Sequence, residues 1–158
     1  MSKILEILTN PSAILIQKSV EVEADRIARE DFQELCLDMA KTMKDKDGIG
    51  LAAPQIGENI RLIVINTKNG IICLINPQLK RKSFGKEWGE EGCLSLPGIY
   101  GKVKRHKKIV CVYLNQRGKK QKIQAEGLLA RVIQHEIDHL DGILFIDKAK
   151  NIQEVDVL

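Results

Sequence analysis

The stretch HEIDH, residues 135–139, constrains the fold of this chain more than any other feature. It lies in a segment, residues 127–140, whose apolar residues recur at the spacing of one helix face. Asp141-Gly142 follows, and glycine is the usual residue just after the end of a helix. The sequence therefore predicts an amphipathic helix over residues 127–140 whose histidines face the interior of the protein.

Two histidines and a glutamate on this helix have the spacing of a metal site. Side chains four residues apart on a helix lie on the same face, so His135 and His139 can bind one metal ion. Glu136 lies close enough to such an ion to hydrogen-bond a water molecule beside it. The alternative interpretation is a pair of buried core histidines that hydrogen-bond backbone groups.

The third ligand of such a site is expected upstream of the helix. A catalytic metal usually takes three protein ligands and leaves one position for water. Downstream there is no further histidine, and Asp141 is too close along the helix to reach the same ion. The polar, glycine-containing segment EEGCLSLPG, residues 90–98, supplies Cys93, and a thiolate beside a metal is a strong ligand. An incidental loop thiol is the alternative. The remaining cysteines lie in apolar surroundings and are expected in the core: Cys36, Cys73 and Cys111.

A glycine-rich segment, GIGLAAPQIG at residues 48–57, is a third candidate for the site. Gly48 and Gly50, followed by two alanines, allow the backbone to come close to a ligand or to another chain segment. The Gln55 amide can both donate and accept hydrogen bonds. By itself the segment is also typical of an ordinary turn before a strand.

Length and composition limit the class of protein. The 158 residues fit one domain, 1–158, with its own core, and the chain is 44% hydrophobic and 29% charged, as in ordinary globular proteins. No apolar run approaches the roughly 18 residues of a membrane span, and the N-terminus lacks the features of a secretory signal. The four cysteines include no CxxC pair and do not indicate a disulfide framework. We therefore expect a cytoplasmic protein without a membrane partner.

The apolar spacing elsewhere predicts the remaining elements. A second helix is predicted from about Asp25 to Lys44, with Asp25 as its cap, after a loosely structured arm formed by the first 20 or so residues. Residues 143–147 are expected to be extended, and the tail, 149–158, is expected to fray. Two antiparallel hairpins are predicted from strands at 61–66, 71–76, 108–115 and 119–126. The predicted fold class is α+β, with antiparallel hairpins packed around a central helix that carries HEIDH and a second helix near the N-terminus.

Two segments concentrate the positive charge of the chain. Residues 102–108, KVKRHKK, hold five Lys or Arg, and residues 117–122, RGKKQK, hold four more. A basic surface of this kind can attract phosphate backbones. The alternative is that both segments form solvated faces of hairpins.

Three segments together carry a family resemblance: GIGLAAPQ at 48–55, EGCLS at 91–95 and QHEIDHLDG at 134–142. In this order and at these separations they resemble the three motifs of peptide deformylase, and the resemblance covers nearly the whole chain. It implies hydrolysis of the N-formyl group from the initiator methionine of new bacterial polypeptides, with release of formate. The implied partners are therefore formyl-Met nascent polypeptides, with no specific DNA partner.

The resemblance also implies roles for individual residues. Glu136 would act as general base and then as general acid. Gln55 and the backbone N–H of Leu94 would hydrogen-bond the oxygen that becomes negative during the reaction. The cofactor would be one divalent ion per chain, Fe(II) or Zn(II), for which Ni or Co could substitute. The implied metal ligands are Cys93, His135 and His139.

A pocket for the methionine side chain is implied as well. Its matching positions, beside the ring of His135, are Ile49, Gly50, Glu91, Leu128 and Val132. The apolar character of most of them suits an unbranched thioether. Arg131 lies on the same helix and is expected to point past the pocket rim. Tyr100 stands where some relatives have an arginine near the peptide, which bears on preference beyond methionine.

The chain departs from well-studied members of that family at its C-terminal side. Those members carry a longer C-terminal helix, which in some of them docks on the ribosome. Only 16 residues follow Gly142 here, too few for a comparable helix. The two basic segments are therefore the candidates for a ribosome contact.

Two other functions compete with this interpretation. An ordinary HExxH metallopeptidase takes its third ligand downstream of the motif, whereas the cysteine here lies upstream. A non-catalytic, metal-stabilised module could bind RNA or the ribosome through the basic segments, but a structural zinc site normally closes with four protein ligands. Three ligands beside a spare glutamate favour the hydrolase.

Overall fold

Eight strands form two antiparallel sheets in the computed structural model, which describes residues 2–156. The strands are β1 (Gly50–Ala52), β2 (Leu62–Thr67), β3 (Gly70–Lys82), β4 (Lys86–Cys93), β5 (Leu96–His106), β6 (Lys108–Leu114), β7 (Lys120–Glu126) and β8 (Lys150–Glu154). The helices are α1 (Ala24–Ile27), α2 (Glu30–Asp45) and α3 (Gly127–Leu140). The predicted α+β class with antiparallel sheets is thus confirmed. No helix within residues 2–156 combines the length and apolar character that a membrane crossing requires.

The larger sheet has the strand order β1-β2-β3-β6-β7 and is covered by a helix on each face. Successive side chains of a strand point to opposite faces. In β2, Leu62 and Val64 pack in the same core cluster as α2, whereas Ile63 and Ile65 pack in the cluster of α3. Because both faces are buried, this strand is a continuous apolar run rather than an alternating one. All four predicted strands belong to this sheet, although β3 continues to Lys82.

Helix α3 covers the residues predicted for it and contacts strands of both sheets. It packs against β1, β2 and β7 of the larger sheet and against β5 of the smaller one. Gly142 ends it with a positive φ of 75°, and a Cβ there would lie 2.7 Å from the backbone of Ile16. A side chain at this position would therefore be strained and would also clash.

The helix predicted from Asp25 to Lys44 is wrong in its first turn, because the chain breaks into α1 and α2. Arg29 has an extended backbone, with φ −74° and ψ 144°. In a continuous helix Ile27 and Phe32, five residues apart, would point in directions about 140° apart. The break allows both side chains to enter the same core cluster. Asp25 lies inside α1 and caps nothing.

The N-terminal arm is docked rather than loosely structured. Leu15 is fully buried, and the backbone N–H of Leu8 donates to the carbonyl of Gln55 at 2.7 Å. A parallel bridge joins Val20 to Ile60. The arm therefore supports the glycine-rich segment from outside.

The C-terminal tail also differs from its prediction. Phe145–Asp147 forms a turn of 3₁₀ helix, so residues 143–147 are not extended as predicted. The tail does not fray over its described part but forms β8 along the edge of β5; residues 157 and 158 lie outside the described residues. Every side chain of β8 is exposed. Its pairing depends on backbone hydrogen bonds, which leave no apolar pattern in the sequence.

The smaller sheet, β4-β5-β8, was not predicted at all. The sequence of β4, KEWGEEGC, is rich in glycine and charged residues, which are depleted in strands. Cys93, predicted to lie in a polar loop, is the last residue of β4 and pairs with Leu96 of β5. The β4–β5 hairpin therefore determines the position of the cysteine relative to α3.

Candidate metal centre

The fold brings one cysteine and two histidines together from distant parts of the chain. Cys93 ends β4, and His135 and His139 lie one turn apart on α3. Their ligand atoms all lie within 4.8 Å of one another, and Cys93 Sγ is 3.3 Å from His139 Nε2. One thiolate and two imidazoles are a donor set that zinc and ferrous iron accept.

Glu91 fixes the orientation of His135. The Glu91 Oε1 atom lies 2.8 Å from His135 Nδ1, so the imidazole N–H donates to the carboxylate and Nε2 is left facing the cluster. Burial disfavours the ionised carboxylate, but Arg105 and His135 outweigh it and hold the pKa of Glu91 well below its usual range. A carboxylate behind the imidazole is the common support of a metal-binding histidine.

The electrostatics of the cluster favour a cation. Burial lowers the pKa of His135, but Cys93, Glu91 and Glu136 overcome this effect and raise it to about 10. The same negative groups would favour a metal ion in place of the proton. Burial and the charge of His135 lower the pKa of His139 well below its usual value, so this imidazole is neutral, as a ligand must be. The residues present therefore fit a divalent ion.

Arg105 is buried, although its segment was predicted to present a basic surface. The side chain is 4% exposed. Its guanidinium donates to both oxygens of Glu91, at 2.8 and 2.9 Å, and also pairs with Asp138 of α3. Arg131 donates a further bond to Glu91 at 2.7 Å. The carboxylate that orients His135 is thus held by two arginines.

The role of Arg105 was missed in the sequence, although a signal for it was present. Lys102 and Lys104 are exposed on β5, whereas Val103 and Arg105 are buried. If this segment had been predicted to be a strand, in which side chains alternate between the two faces, the arginine would have been placed on the inner face. The run of like charges concealed that alternation.

Glu136 is a buried carboxylate with an unpaired oxygen beside the ligand cluster. It is 4% exposed, and its Oε1 atom has no hydrogen-bond partner among the described residues. Its Oε2 atom lies 4.0 Å from His135 Nε2. Burial raises the pKa of Glu136 to about 7. A carboxyl group in this state can accept a proton and return it near neutral pH.

The amide of Gln55 is anchored so that its donor faces the cluster. Its Oε1 accepts from the backbone N–H of Ala52 at 2.9 Å. Its Nε2 contacts Ser95 Oγ at 3.2 Å and Cys93 Sγ at 3.5 Å. Leu94 follows Cys93 in the hairpin turn and lines the same cleft. The contribution of Ser95, which is fully buried, was not anticipated.

An open cleft with a volume of about 480 Å³ leads to the cluster. Its lining includes all the positions predicted for the methionine pocket: Ile49, Gly50, Glu91, Leu128 and Val132. Ile49 and Leu128 are exposed, whereas Val132 is buried. The cleft therefore combines an apolar wall with the polar groups at the cluster.

Arg131 also lines this cleft, so the prediction that it points past the rim is wrong. In addition to its bond with Glu91, its guanidinium donates to the carbonyls of Val103 and Glu87, each at 2.9 Å. It therefore ties α3 to β4 and β5. Tyr100 lines the cleft as well and packs close to Gly92.

Three potential metal ligands, a buried carboxylate and an anchored amide donor around one open cleft are the features of a metal-dependent hydrolase. Three donors would leave a coordination position for water on a four-coordinate ion, and the buried Glu136 carboxylate lies 4.0 Å from His135 Nε2 at the edge of the cluster. A closed structural site would offer neither feature.

Comparison with known proteins identifies the kind of hydrolase. The sequence model of the family Polypeptide deformylase matches residues 4–155. A peptide deformylase of Symbiobacterium thermophilum is 46% identical over 155 residues, which cover 96% of this chain and 70% of that protein. The crystal structure of peptide deformylase from Thermotoga maritima has a TM-score of 0.88 and 36% identity, covering 93% of this chain and 98% of that one. The Met-Ala-Ser bound crystal structure of a class I type b peptide deformylase from Acinetobacter baumannii has a TM-score of 0.89 and 31% identity, covering 93% and 100%.

The chain therefore belongs to the polypeptide deformylase family. It is a hydrolase that removes the N-formyl group from newly made polypeptides, and it uses a single catalytic divalent metal ion, iron or zinc. The resemblance carried by the three sequence motifs is thus confirmed. Neither the HExxH metallopeptidase nor the non-catalytic RNA-binding module is favoured.

Proposed function

We propose that Cys93, His135 and His139 hold the catalytic ion and that Glu136 transfers the protons of the deformylation reaction. The observation that carries this assignment is the buried Glu136 carboxylate, one oxygen of which has no partner among the described residues, next to a cluster of three ligand atoms. When bound, a divalent ion supplies Lewis-acid chemistry: it polarises a carbonyl and lowers the pKa of water.

The protein groups then handle the protons and the developing negative charge. Glu136 accepts a proton from the attacking water and passes it to the amine that leaves the formyl group. Gln55 Nε2 and the backbone N–H of Leu94 donate to the oxygen that becomes negative in the tetrahedral intermediate. A good donor of this kind contributes about 3 kcal/mol to transition-state stabilisation. The anchoring of Gln55 by Ala52 supports this role, because a preoriented amide has little reorganisation to undergo.

The methionine side chain of the substrate is proposed to bind in the cleft. Its contacts would be Ile49, Gly50, Glu91, Leu128 and Val132. The apolar members suit an unbranched thioether, and Glu91 supports His135 at one end of this wall. A related enzyme of similar fold has been crystallised with Met-Ala-Ser, a peptide that begins with methionine.

Removing the metal is expected to abolish formate release from a formyl-Met tripeptide and to lower the thermal midpoint of unfolding. Because an ion that binds only the folded state stabilises it, saturation at about 100 times Kd contributes about 2.7 kcal/mol. We would purify the protein without oxygen, remove the ion with a chelator, restore Fe(II) or Zn(II), and measure metal content and formate on the same samples. Activity in the metal-free protein would contradict a catalytic role for the ion. A fully metallated protein that releases no formate would contradict the deformylase assignment itself.

Replacing Gly50 by alanine is expected to lower kcat by about 100-fold, because a small misplacement of a catalytic group has an effect of this size. A Cβ at Gly50 would lie 2.7 Å from Glu136 Oε2 and 2.9 Å from its Cγ, so the carboxylate must move. Gly85→Ala is the matched control, since the added Cβ there meets only Lys107, at 3.7 Å. If Gly50→Ala keeps its metal and retains nearly full activity, the position of Glu136 is not critical.

The wider setting of the site is also part of the proposal. Residues 1–158 would form one catalytic domain in which α3 is the central element, as its contacts with both sheets suggest. The cytoplasm is the proposed compartment, because newly made formylated chains emerge there. The two basic segments would bring the enzyme to the ribosome, although Arg105 can take no part because it is buried.

A further inference from the structure

One face of the smaller sheet combines an exposed tryptophan with several lysines. Residues that alternate along β4 and β5, together with their partners on β8, lie on this face, which we call the Trp88 face. Its members are Lys86, Trp88, Glu90, Gly92, Tyr100, Lys102, Lys104, His106, Lys150 and Gln153. The opposite face of the hairpin holds the buried Glu91, Val103 and Arg105.

Trp88 lies on this surface without a core around it. It is 46% exposed, and two ammonium groups lie near its ring, Lys104 Nζ at 6.0 Å and Lys150 Nζ at 5.3 Å from the ring centroid. These are cation–π distances. Tyr100, 41% exposed, lies further along the same face. Tryptophan is enriched at binding interfaces, and the exposed part of this ring is accessible to a partner.

The charge of the Trp88 face has one dominant sign. It carries four lysines against one acid, Glu90, which lies opposite Lys102 in the β4–β5 pairing. A flat sheet that presents aromatic rings between cationic side chains is a recurrent platform for single-stranded nucleic acid. The rings stack on bases, and the ammonium groups neutralise phosphates.

We propose that the Trp88 face binds a single-stranded segment of RNA, with a base stacked on Trp88 and phosphates paired with Lys102, Lys104 and Lys150. This inference rests on the proposed ribosome contact and specifies its surface and its ligand. The β4–β5 hairpin that carries Trp88 also carries Cys93, and Tyr100 both belongs to the face and lines the cleft. RNA held on this face would therefore hold the cleft near the site where nascent chains emerge.

Trp88 provides a direct readout, because it is the one tryptophan in the sequence. Adding a ten-nucleotide oligouridylate is expected to quench the intrinsic fluorescence of the metallated protein. Three phosphate contacts predict that the logarithm of the association constant falls with the logarithm of salt concentration with a slope of about −2. If saturating RNA leaves the fluorescence unchanged, stacking on Trp88 is excluded.

Two sets of charge reversals test the surface. Lys102→Glu, Lys104→Glu and Lys150→Glu combined are expected to abolish measurable oligouridylate binding, and Trp88→Leu is expected to weaken it about ten-fold. The control reverses Lys80, Arg81 and Lys82, which are exposed at the end of β3 outside both basic segments, and is expected to change binding less than three-fold. Equal losses in the two triple variants would mean non-specific attraction and would overturn the proposal.

The same variants separate this inference from the deformylase function. All of them are expected to release formate from a formyl-Met tripeptide at the wild-type rate, because none of the altered residues belongs to the proposed site. Co-sedimentation with purified ribosomes is expected to be reduced for Trp88→Leu and lost for the Lys102, Lys104 and Lys150 variant. Free oligouridylate is expected to compete with it. Trp88-dependent sedimentation that excess RNA does not compete would assign the face to a ribosomal protein and overturn the RNA assignment. If the metallated wild-type protein released no formate, the proposed function itself would fail, whatever the RNA measurements show.

Discussion

Replacing Glu136 by glutamine is expected to lower kcat for formate release by about 10²- to 10⁴-fold, the usual contribution of a positioned general base. Glutamine has nearly the shape of glutamate but cannot accept the proton. The Glu136 carboxylate is buried, and one of its oxygens has no partner among residues 2–156. No other acid among the lining residues of the cleft combines that burial with a free oxygen, since Glu91 is fully engaged with arginines and His135. KM and metal content are expected to change little, because Glu136 is not among the proposed ligands.

The measurement is steady-state formate release from a formyl-Met tripeptide, with metal content determined on each sample. Glu126→Gln is the matched control, because Glu126 immediately precedes α3 and its pairing with Lys108, at 3.7 Å, is largely exposed. That variant is expected to keep full activity. If fully metallated Glu136→Gln retains more than a tenth of the wild-type kcat, proton transfer belongs to another group.

Replacing Arg105 by leucine is expected to lower the free energy of unfolding by about 3–5 kcal/mol, the usual cost of removing one partner from a buried ion pair. The side chains of Arg105 and Glu91 are 4% and 5% exposed, and Asp138 is the second partner of the guanidinium. Without Arg105 these carboxylates lose a buried counter-charge. Lys148 Nζ lies 3.0 Å from Asp138 Oδ2, so it can compensate for the lost positive charge at Asp138 but not at Glu91.

Denaturant unfolding of the metal-free protein measures this effect without the contribution of a bound ion. Arg117→Leu, on the exposed β6–β7 turn, is the control and is expected to change stability by less than about 0.5 kcal/mol. The loss of unfolding free energy for Arg105→Lys is expected to lie between those of Arg105→Leu and Arg117→Leu. Lysine keeps the charge but lacks the forked guanidinium that reaches both oxygens of Glu91. A loss below about 1 kcal/mol for Arg105→Leu would mean that the pair contributes no more than a surface salt bridge.

The Arg105 network also accounts for the polar residues that line the metal centre. Arg105 and Arg131 hold Glu91, Glu91 orients His135, and Asp138 joins α3 to β5 through Arg105. Removing a carboxylate that hydrogen-bonds a metal-binding histidine typically lowers metal affinity by 10- to 100-fold. Glu91 of EEGCLS and Arg105 of the basic segment 102–108 therefore contribute to the same site.

Several features of the protein were determined by its sequence alone. The helix over residues 127–140 and four of the five strands of the larger sheet follow from local apolar patterns, which short-range backbone geometry converts directly into structure. The order of the three motifs indicated the deformylase family. Cys93 was distinguished from the other cysteines because it alone lies in a polar stretch of sequence. These features depend on residues close to one another in the chain.

Only the tertiary structure decided the rest. The smaller sheet, the strand formed by the tail and the docked arm depend on backbone pairing between distant segments, which side-chain patterns do not record. Arg105 lies inside rather than outside because Glu91 and Asp138, 14 and 33 residues away, meet its guanidinium there. A charged side chain can be buried only where the fold brings its partners to the same place. Its burial therefore depends on the whole fold rather than on the neighbouring sequence.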